Sequence, residues 1–320
     1  MSRTNRKKVR SAFKWILWVL LIQFLLINIS AILYAYKLTH FYSPSLAKKA
    51  PSKNIFTKTW KLFRGPKFKK TIETNYPHFP YETVQLITGT GNVIESWSMR
   101  SDSSKGSVIL IHGLGANKAF MLDQAYEFRY LGYNVMLVDL RAHGNSDGNT
   151  TTLGVRESEE VKLAYDYLTK KGDKKIILYG ISLGAVVAAK AVHDFQLQPS
   201  SIILDMPFGN LQKLLEGRAR MLGFPEEPFG MLVTFWCGAE RGFNGFRHTT
   251  SRYVQTIKCP VLIQYGALDK LVTPEEINCV FKHVASNNKK LVIYEDAGHE
   301  SFLVHHPERW RQEISDFLRR

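Results

Sequence analysis

The sequence predicts an α/β fold in which a mostly parallel central sheet carries helices on both faces. From residue 82 onward, short apolar runs alternate with helical patterns. Most of these runs are continuously apolar, which is typical of strands that are buried on both faces. A third observation is the uncharged stretch of residues 15–36, which lies outside this alternation and predicts an additional transmembrane helix.

The N-terminal part is divided into a basic tail (residues 1–14), the transmembrane anchor (15–36) and a basic linker (37–78). At about 1.5 Å per residue, the anchor spans roughly 33 Å, enough to cross a bilayer core. It is longer than the apolar part of a signal peptide and no small-residue cleavage site follows it, which favours an uncleaved anchor. Six basic residues precede it and four lie in residues 37–56. We therefore expect a cytoplasmic N-terminus and a domain on the outer face.

The charge of the chain is concentrated in this N-terminal part. Residues 1–70 contain 16 Lys and Arg and no Asp or Glu, which leaves 27 basic and 28 acidic residues in the remainder. A nearly neutral domain argues against nucleic-acid binding, which requires a basic face within the fold. The basic segment instead suits anionic lipid headgroups. Three cysteines without metal-like spacing predict neither a disulfide framework nor a structural zinc site.

The predicted domain covers residues 79–320 and opens on two alternating strands, residues 82–88 and 93–99. A Gly-Thr-Gly-Asn turn between them predicts a hairpin, and hence an antiparallel edge of the sheet. Buried strands are predicted at residues 108–111, 135–138, 176–179, 202–204, 261–265 and 291–294. A small-residue helix follows residue 184, and further helices are predicted at residues 118–131, 155–171, 274–284 and 307–318.

Residues 207–252 interrupt the alternation between two sheet strands and are rich in Gly, Phe and Trp. The segment is long for a plain crossover connection, so we interpret it as a cap over the active site rather than an ordinary pair of connecting helices. The candidate substrate contacts in this segment are Phe208, Phe229 and Trp236.

Residues 180–184, Gly-Ile-Ser-Leu-Gly, form a G-x-S-x-G motif between an apolar strand and a small-residue helix. A strand, a sharp turn and a helix together hold a serine hydroxyl on a strained elbow, with Ser182 as the candidate nucleophile. The flanking glycines would let neighbouring backbone pass close to the serine. A pentapeptide this short also occurs by chance, so the assignment depends on the other residues.

A serine nucleophile needs a base, and the base needs an orienting carboxylate. His299 follows the last predicted strand, where a loop can place it above Ser182. Asp269 follows the preceding strand and completes the chain order Ser, Asp, His that this architecture uses. Asp205 also ends a strand and is the competing carboxylate.

Two backbone N–H groups are candidates for stabilising the oxyanion of the transition state. One belongs to Leu183, directly after the candidate nucleophile. The other belongs to Leu114, in the sequence His-Gly-Leu-Gly after the strand 108–111. A further motif at residues 139–146 contains Arg141 and His143, to which we give a bracing role.

Together these motifs resemble the alpha/beta-hydrolase superfamily over residues 80–320. The chain is similar to the group of membrane-anchored alpha/beta-hydrolase-domain proteins, monoacylglycerol lipases and prolyl-aminopeptidase-like serine peptidases. The resemblance implies cleavage of carboxylic esters, thioesters or N-terminal peptide bonds. Leu183 stands where many relatives have Met or Gln, which does not affect a residue acting through its backbone.

The sequence therefore predicts a membrane-anchored serine hydrolase that cleaves a carboxylic ester of a lipid or other acyl group through Ser182, His299 and Asp269. This chemistry needs no metal or organic cofactor. An aminopeptidase-like peptidase or an acyl-protein thioesterase on the same scaffold is the alternative. An acidic amine site in the cap would favour the peptidase, and Glu226, Glu227 and Glu240 are available there. A non-catalytic binding module is the third possibility.

Overall fold

The computed structural model describes residues 3–42, 68–223 and 225–319. Most of the predicted linker, residues 43–67, lies outside the described residues. On either side of that gap, the chain is packed on the domain. The Phe41 N–H donates to the carbonyl of Asn149 at 2.7 Å, and Glu73 is buried in an ion pair with Lys118.

The described residues form a sheet of eight strands in the order β1-β2-β4-β3-β5-β6-β7-β8. The pairs β1–β2 and β2–β4 are antiparallel and the others are parallel, so the predicted antiparallel edge is present. The strands are β1 (Glu82–Ile87), β2 (Val93–Met99), β3 (Ser107–Ile111), β4 (Asn134–Val138), β5 (Ile176–Ile181), β6 (Ser201–Asp205), β7 (Val261–Gly266) and β8 (Lys289–Tyr294).

Helices cover both faces of this sheet, as the sequence predicts. They are α1 (Arg3–Thr39), α2 (Leu122–Tyr130), α3 (Ser158–Lys170), α4 (Leu183–Phe195), α5 (Leu211–Leu222), α6 (Phe229–Arg241), α7 (Thr250–Tyr253), α8 (Pro274–His283), α9 (Phe302–His305) and α10 (Pro307–Leu318). The helix predicted at residues 118–131 is a 3₁₀ turn, Lys118–Met121, followed by α2.

The central strand β3 illustrates why the strands are apolar throughout. Side chains of a strand alternate between the two faces of its sheet. Ile109 and Ile111 belong to the apolar core beneath α3 and α4, whereas Val108 and Leu110 belong to the core on the opposite face. Because both faces are covered, the residues from Val108 to Ile111 are all apolar, and only Ser107 at the start of β3 is polar.

Helix α1 contains a stretch, Ser11–Thr39, that is long and apolar enough to cross a membrane, and the mean hydropathy of an 18-residue window within it is 2.5. Its two ends have different surroundings. Residues 11–27 are exposed, whereas six of the nine residues 31–39 are buried. The buried end packs against α6. The last part of the predicted anchor therefore forms an interface with the domain.

We call the contact between residues 28–39 of α1 and helix α6 the α1–cap seam. The rings of Tyr34 and Phe229 meet edge to face, with their centroids 5.0 Å apart. The Trp236 indole N–H donates to the Asn28 side chain at 3.3 Å. Helices α5 and α6 lie between β6 and β7, at the place predicted for the cap.

Candidate active site

The turn between β5 and α4 has the geometry expected of the G-x-S-x-G motif. Ser182 has φ 54° and ψ −113°, a conformation that non-glycine residues rarely adopt. A Cβ on Gly180 would overlap the backbone of Gly184, and a Cβ on Gly184 would overlap the backbone of Ile111. Both glycines are therefore required for the close approach that places the Ser182 hydroxyl at the end of the strand.

The structure brings together the three side chains proposed for catalysis, although they are far apart in the sequence. The Ser182 hydroxyl lies 2.9 Å from Nε2 of His299. Nδ1 of the same ring lies 2.6 Å from Oδ2 of Asp269. Since an ionised carboxylate only accepts, Nδ1–H is the donor and Nε2 is left to accept from the serine hydroxyl.

Asp269 is held in place by the backbone of its own loop. Its Oδ1 accepts hydrogen bonds from the N–H groups of Leu271 at 2.7 Å and Val272 at 3.0 Å. One carboxylate oxygen is thus fixed by the loop and the other faces His299, so that the carboxylate orients the imidazole.

Asp205, the competing carboxylate, has different partners. Its side chain accepts from the Tyr179 hydroxyl and from the Gln264 amide, the latter at 2.9 Å. Burial raises the pKa of Asp205 to about 7. Its backbone carbonyl accepts the N–H of Ser182 at 2.7 Å. Asp205 therefore supports the elbow and does not contact His299.

Leu114 and Leu183, whose backbone N–H groups are proposed for the oxyanion, line the same pocket as Ser182 and His299. Leu183 is the first residue of α4, so its N–H has no acceptor within the helix. Leu114 lies in the turn after β3. The next N–H of that turn, from Gly115, donates to Nε2 of His143 at 3.1 Å and so fixes the turn.

His143 can accept this hydrogen bond because it is neutral. Burial lowers its pKa to about 3. Nδ1 lies 2.8 Å from the Arg141 carbonyl, to which it donates, so Nε2 carries the lone pair that receives Gly115. These contacts agree with the bracing role that the sequence suggested for this motif.

A pocket with a volume of about 300 Å³ lies over Ser182, and most of its wall is apolar. Of the three candidate substrate contacts, Phe208 lines the pocket. Phe229 and Trp236 are not among its lining residues and pack against α1 instead.

Sequence analysis did not anticipate that Phe120, Gln124, Leu214, Arg218 and Leu271 line the pocket. Only the apolar periodicity of α5 gave any signal, and that signal does not distinguish a pocket wall from a core.

Three carboxylates near the Leu114 turn, those of Glu73, Glu95 and Asp139, are close enough together to hold a metal ion. The Lys118 ammonium donates to all three, at 2.9 Å to Glu95 and 2.6 Å to Asp139. Its positive charge thus takes the place that a cation would occupy. The cluster joins the end of the linker to Lys118, which follows the turn that carries Leu114.

Relatives of this chain include a lipase and an uncharacterized membrane protein. The chain is 27% identical over 244 residues to a lysophosphatidylserine lipase of Danio rerio, covering 70% of this chain and 61% of that protein. It is 24% identical over 243 residues to an uncharacterized membrane protein of Saccharomyces cerevisiae, covering 75% and 80% of the two chains.

Among solved structures, an esterase of Pyrococcus furiosus superposes with a TM-score of 0.67 and 25% identity, over 78% of this chain and 96% of the esterase. The family model described as the alpha/beta hydrolase family matches residues 108–313, which include β3 and the three side chains that meet at the pocket. The fold class and the family resemblance predicted from the sequence are thereby confirmed, and the chain belongs to the alpha/beta hydrolase family.

Proposed function

We propose that this protein is a membrane-anchored serine esterase that hydrolyses an acyl ester of lipid character. The observation that carries the proposal is the continuous chain of hydrogen-bond contacts from Ser182 through His299 to Asp269. A serine hydroxyl is a weak nucleophile, and a base within hydrogen-bond reach makes it an effective one.

In the proposed reaction, Ser182 Oγ attacks the ester carbonyl while His299 Nε2 accepts the hydroxyl proton. Asp269 stabilises the imidazolium that forms. The N–H groups of Leu114 and Leu183 stabilise the oxyanion. His299 then protonates the departing alcohol, which leaves an acyl-enzyme on Ser182. Water, activated by the same imidazole, releases the carboxylic acid and restores the serine.

The lipid character of the substrate is supported by the surroundings of the site. The pocket wall is mainly apolar, and the domain is attached to a helix with the length and composition of a membrane span. The names of the esterase and lipase relatives agree with an ester substrate. The distribution of basic residues around α1 favours a cytoplasmic N-terminus and so supports an orientation with the pocket on the outer side of the membrane.

The peptidase alternative receives less support. A peptidase that takes a free N-terminus needs a carboxylate for the amine, and the cap glutamates have other partners. Glu226 pairs with Arg220, and Glu227 accepts from Gln212. Neither of them, nor Glu240, is among the residues that line the pocket.

Labelling of the full-length protein with a fluorophosphonate tests the proposed nucleophile. We expect rapid labelling of the wild type, none of Ser182→Ala and very slow labelling of His299→Ala, because the probe requires an activated serine. Ser103→Ala, which changes an exposed serine, is the control and should label like the wild type. Labelling that persists in Ser182→Ala would reject the assignment.

The bond that is cleaved is tested with matched acyl esters, acyl thioesters and aminoacyl amides. We expect hydrolysis to be fastest for the acyl esters. A preference for the amides would contradict the esterase proposal. Protease accessibility of the domain in intact cells then tests the proposed orientation, because a domain on the outer face should be digested without permeabilisation.

A further inference from the structure

Arg218 of the cap is a cation in the wall of the catalytic pocket. Its neighbours on α5 are paired with carboxylates, Lys213 with Glu216 and Arg220 with Glu226. In the described parts of the chain, Arg218 forms no such ion pair. The undescribed residues 43–67 contain no Asp or Glu. The positive charge of Arg218 therefore lacks a neutralising partner on the side facing the pocket.

The surroundings of the Arg218 guanidinium leave a hydrogen-bonding group unused. One face lies over the ring of Phe68, with 5.6 Å between the guanidinium carbon and the ring centroid. The hydroxyl of Tyr34, from α1, is also a neighbour. Nevertheless, Nε is buried and has no hydrogen-bond partner among the described residues. A buried polar group without a partner is unfavourable. Turning the guanidinium toward an anion in the pocket would give Nε an acceptor.

Helix α5 holds this cation at a fixed position relative to the catalytic residues. Gly217 packs so closely on the carbonyl of Leu271 that a Cβ at that position would overlap it. The N–H of Leu271 in turn donates to Asp269 at 2.7 Å. Arg218 is thus connected through one tight contact to the loop that orients the catalytic imidazole.

The pocket also contains one carboxylate whose interactions are accounted for. Glu300 accepts the N–H of Gly298 at 3.3 Å and lies 3.6 Å from His305. Neither contact involves Arg218. The pocket therefore combines an apolar wall, a nucleophile and a cation without a carboxylate partner.

We propose that Arg218 determines substrate specificity by binding a phosphate group on the alcohol portion of the substrate. The inference rests on the proposed esterase function and narrows its substrate class to acyl esters that carry an anionic phosphate. The planar guanidinium offers paired N–H donors that match phosphate oxygens. Hydrolysis adds water across the acyl ester bond and gives a carboxylic acid and a phosphate-bearing alcohol. No bond to phosphorus is broken.

The position of Tyr34 favours a lipid phosphate over other anions. Tyr34 lies on the apolar helix α1, just beyond the exposed residues 11–27 that are available to a bilayer. The neighbouring guanidinium is thus near the end of the membrane-facing stretch, at the level of the lipid headgroups and their phosphates. A substrate entering from the membrane would bring its phosphate to Arg218 and its acyl ester to Ser182.

The test compares two substrates with the same acyl chain, 1-lauroyl-glycerol 3-phosphate and 1-lauroyl-glycerol, with the full-length protein in detergent micelles. We expect Arg218→Gln to lower kcat/KM for the phosphate ester about 10- to 100-fold, chiefly through KM, because a charge-assisted pair is lost. The kcat/KM for the neutral ester should change by less than about threefold, because this ester has no phosphate for Arg218 to bind. Arg218→Lys should give an intermediate loss, because it keeps the charge without the paired donors.

Lys213→Gln is the matched control, because it removes the same charge from the same helix at a site that is half exposed. It should leave the ratio of the two kcat/KM values unchanged. An equal loss for both esters in a folded Arg218→Gln protein would show a structural role and overturn the inference, as would no loss for either. If the wild type hydrolyses neither ester, the proposed function itself fails.

A second arm separates a substrate phosphate from free phosphate. Inorganic phosphate is added to the neutral-ester assay of the wild type and of Arg218→Gln. We expect no inhibition, because the anion must be attached to the acyl ester to be held at the site. Inhibition of the wild type that disappears in Arg218→Gln would assign the site to free phosphate and overturn the substrate assignment.

Discussion

The proposed catalytic residues and the α1–cap seam are built on different physical principles. Ser182, Asp269 and His299 are positioned by unusual backbone geometry and by short hydrogen bonds at the ends of β5, β7 and β8. The seam is formed mainly by apolar side chains, together with the Trp236–Asn28 hydrogen bond, from two segments that are about 200 residues apart in the sequence. Changes at the catalytic residues should therefore abolish chemistry in a folded protein, whereas changes at the seam should lower stability and leave the chemistry intact.

The largest effect is expected for Asp269→Asn. The Asn oxygen would accept from the N–H groups of Leu271 and Val272 as the carboxylate does. Its NH2 group would then face His299, where it can neither accept from Nδ1–H nor stabilise an imidazolium. We expect kcat for the best ester to fall about 10⁴-fold, as when the orienting carboxylate of other serine hydrolases is changed. The measurement is steady-state hydrolysis, with circular dichroism to show that the fold is retained.

Asp205→Asn is the matched control for this prediction. Asp205 also follows a sheet strand and is also buried, but its side chain contacts Tyr179 and Gln264. Activity should fall by less than about tenfold, because this carboxylate does not orient the base. If the two variants exchanged these effects, the assignment of Asp269 would be wrong and Asp205 would be the orienting residue.

The next largest effect is expected for Lys118→Met, which tests the stability of the region beside the pocket rather than its chemistry. Lys118 is fully buried and donates to the carboxylates of Glu73, Glu95 and Asp139. Removing one member of a buried ion pair leaves uncompensated charge and costs about 3–5 kcal/mol. We expect a fall of that size in the free energy of unfolding. Lys170→Met, an exposed lysine on α3, should change it by less than about 0.5 kcal/mol.

The proposed catalytic residues could be named from the sequence because their chemistry requires particular residue types at particular places. Only glycine fits at position 184, and the Ser, Asp, His order fixes which strand ends must converge. The strands were also predictable, because burial on both faces makes them continuously apolar. Element boundaries differed by a few residues, as in β8, which begins with two lysines that carry no apolar signal.

Features that depend on partners distant in the sequence could not be predicted. Phe229 and Trp236 are aromatic whether they face a substrate or α1, so their type did not reveal their contacts. The same holds for Lys118, whose three carboxylate partners come from separate segments. Arg218 could equally have been a solvated cap residue until its place in the pocket wall was known.

A third prediction concerns pH and Asp205. Burial raises its pKa to about 7, compared with about 3.9 in an unfolded chain. Between these values the unfolded chain releases the proton and the folded protein retains it, so the stability contributed by this group falls as pH rises and levels off above pH 7. Asn does not titrate in this range. The free energy of unfolding of Asp205→Asn relative to the wild type should therefore rise by roughly 3 kcal/mol from pH 4 to pH 8.

Chemical denaturation at closely spaced pH values provides this measurement. Because the prediction concerns a difference between two proteins, titration of all other groups cancels as long as they are unaffected by the substitution. A difference that stays constant from pH 4 to pH 8 would mean that Asp205 is already ionised in the folded protein at pH 4.

The smallest of the effects distinguishes the seam from the catalytic residues most directly. Phe229→Ala removes the ring that packs on Tyr34 and should lower the free energy of unfolding by about 2 kcal/mol, less than for a fully buried ring. Phe235→Ala on the same helix is the control, because that ring is 52% exposed. Thermal unfolding in micelles measures both. The rate of fluorophosphonate labelling should stay within about threefold of the wild type, because Ser182 and His299 do not depend on this ring. Slower labelling without a loss of stability would contradict the separation of the seam from the catalytic residues. It would mean that the seam positions the catalytic residues and that the anchor and the active site form one unit.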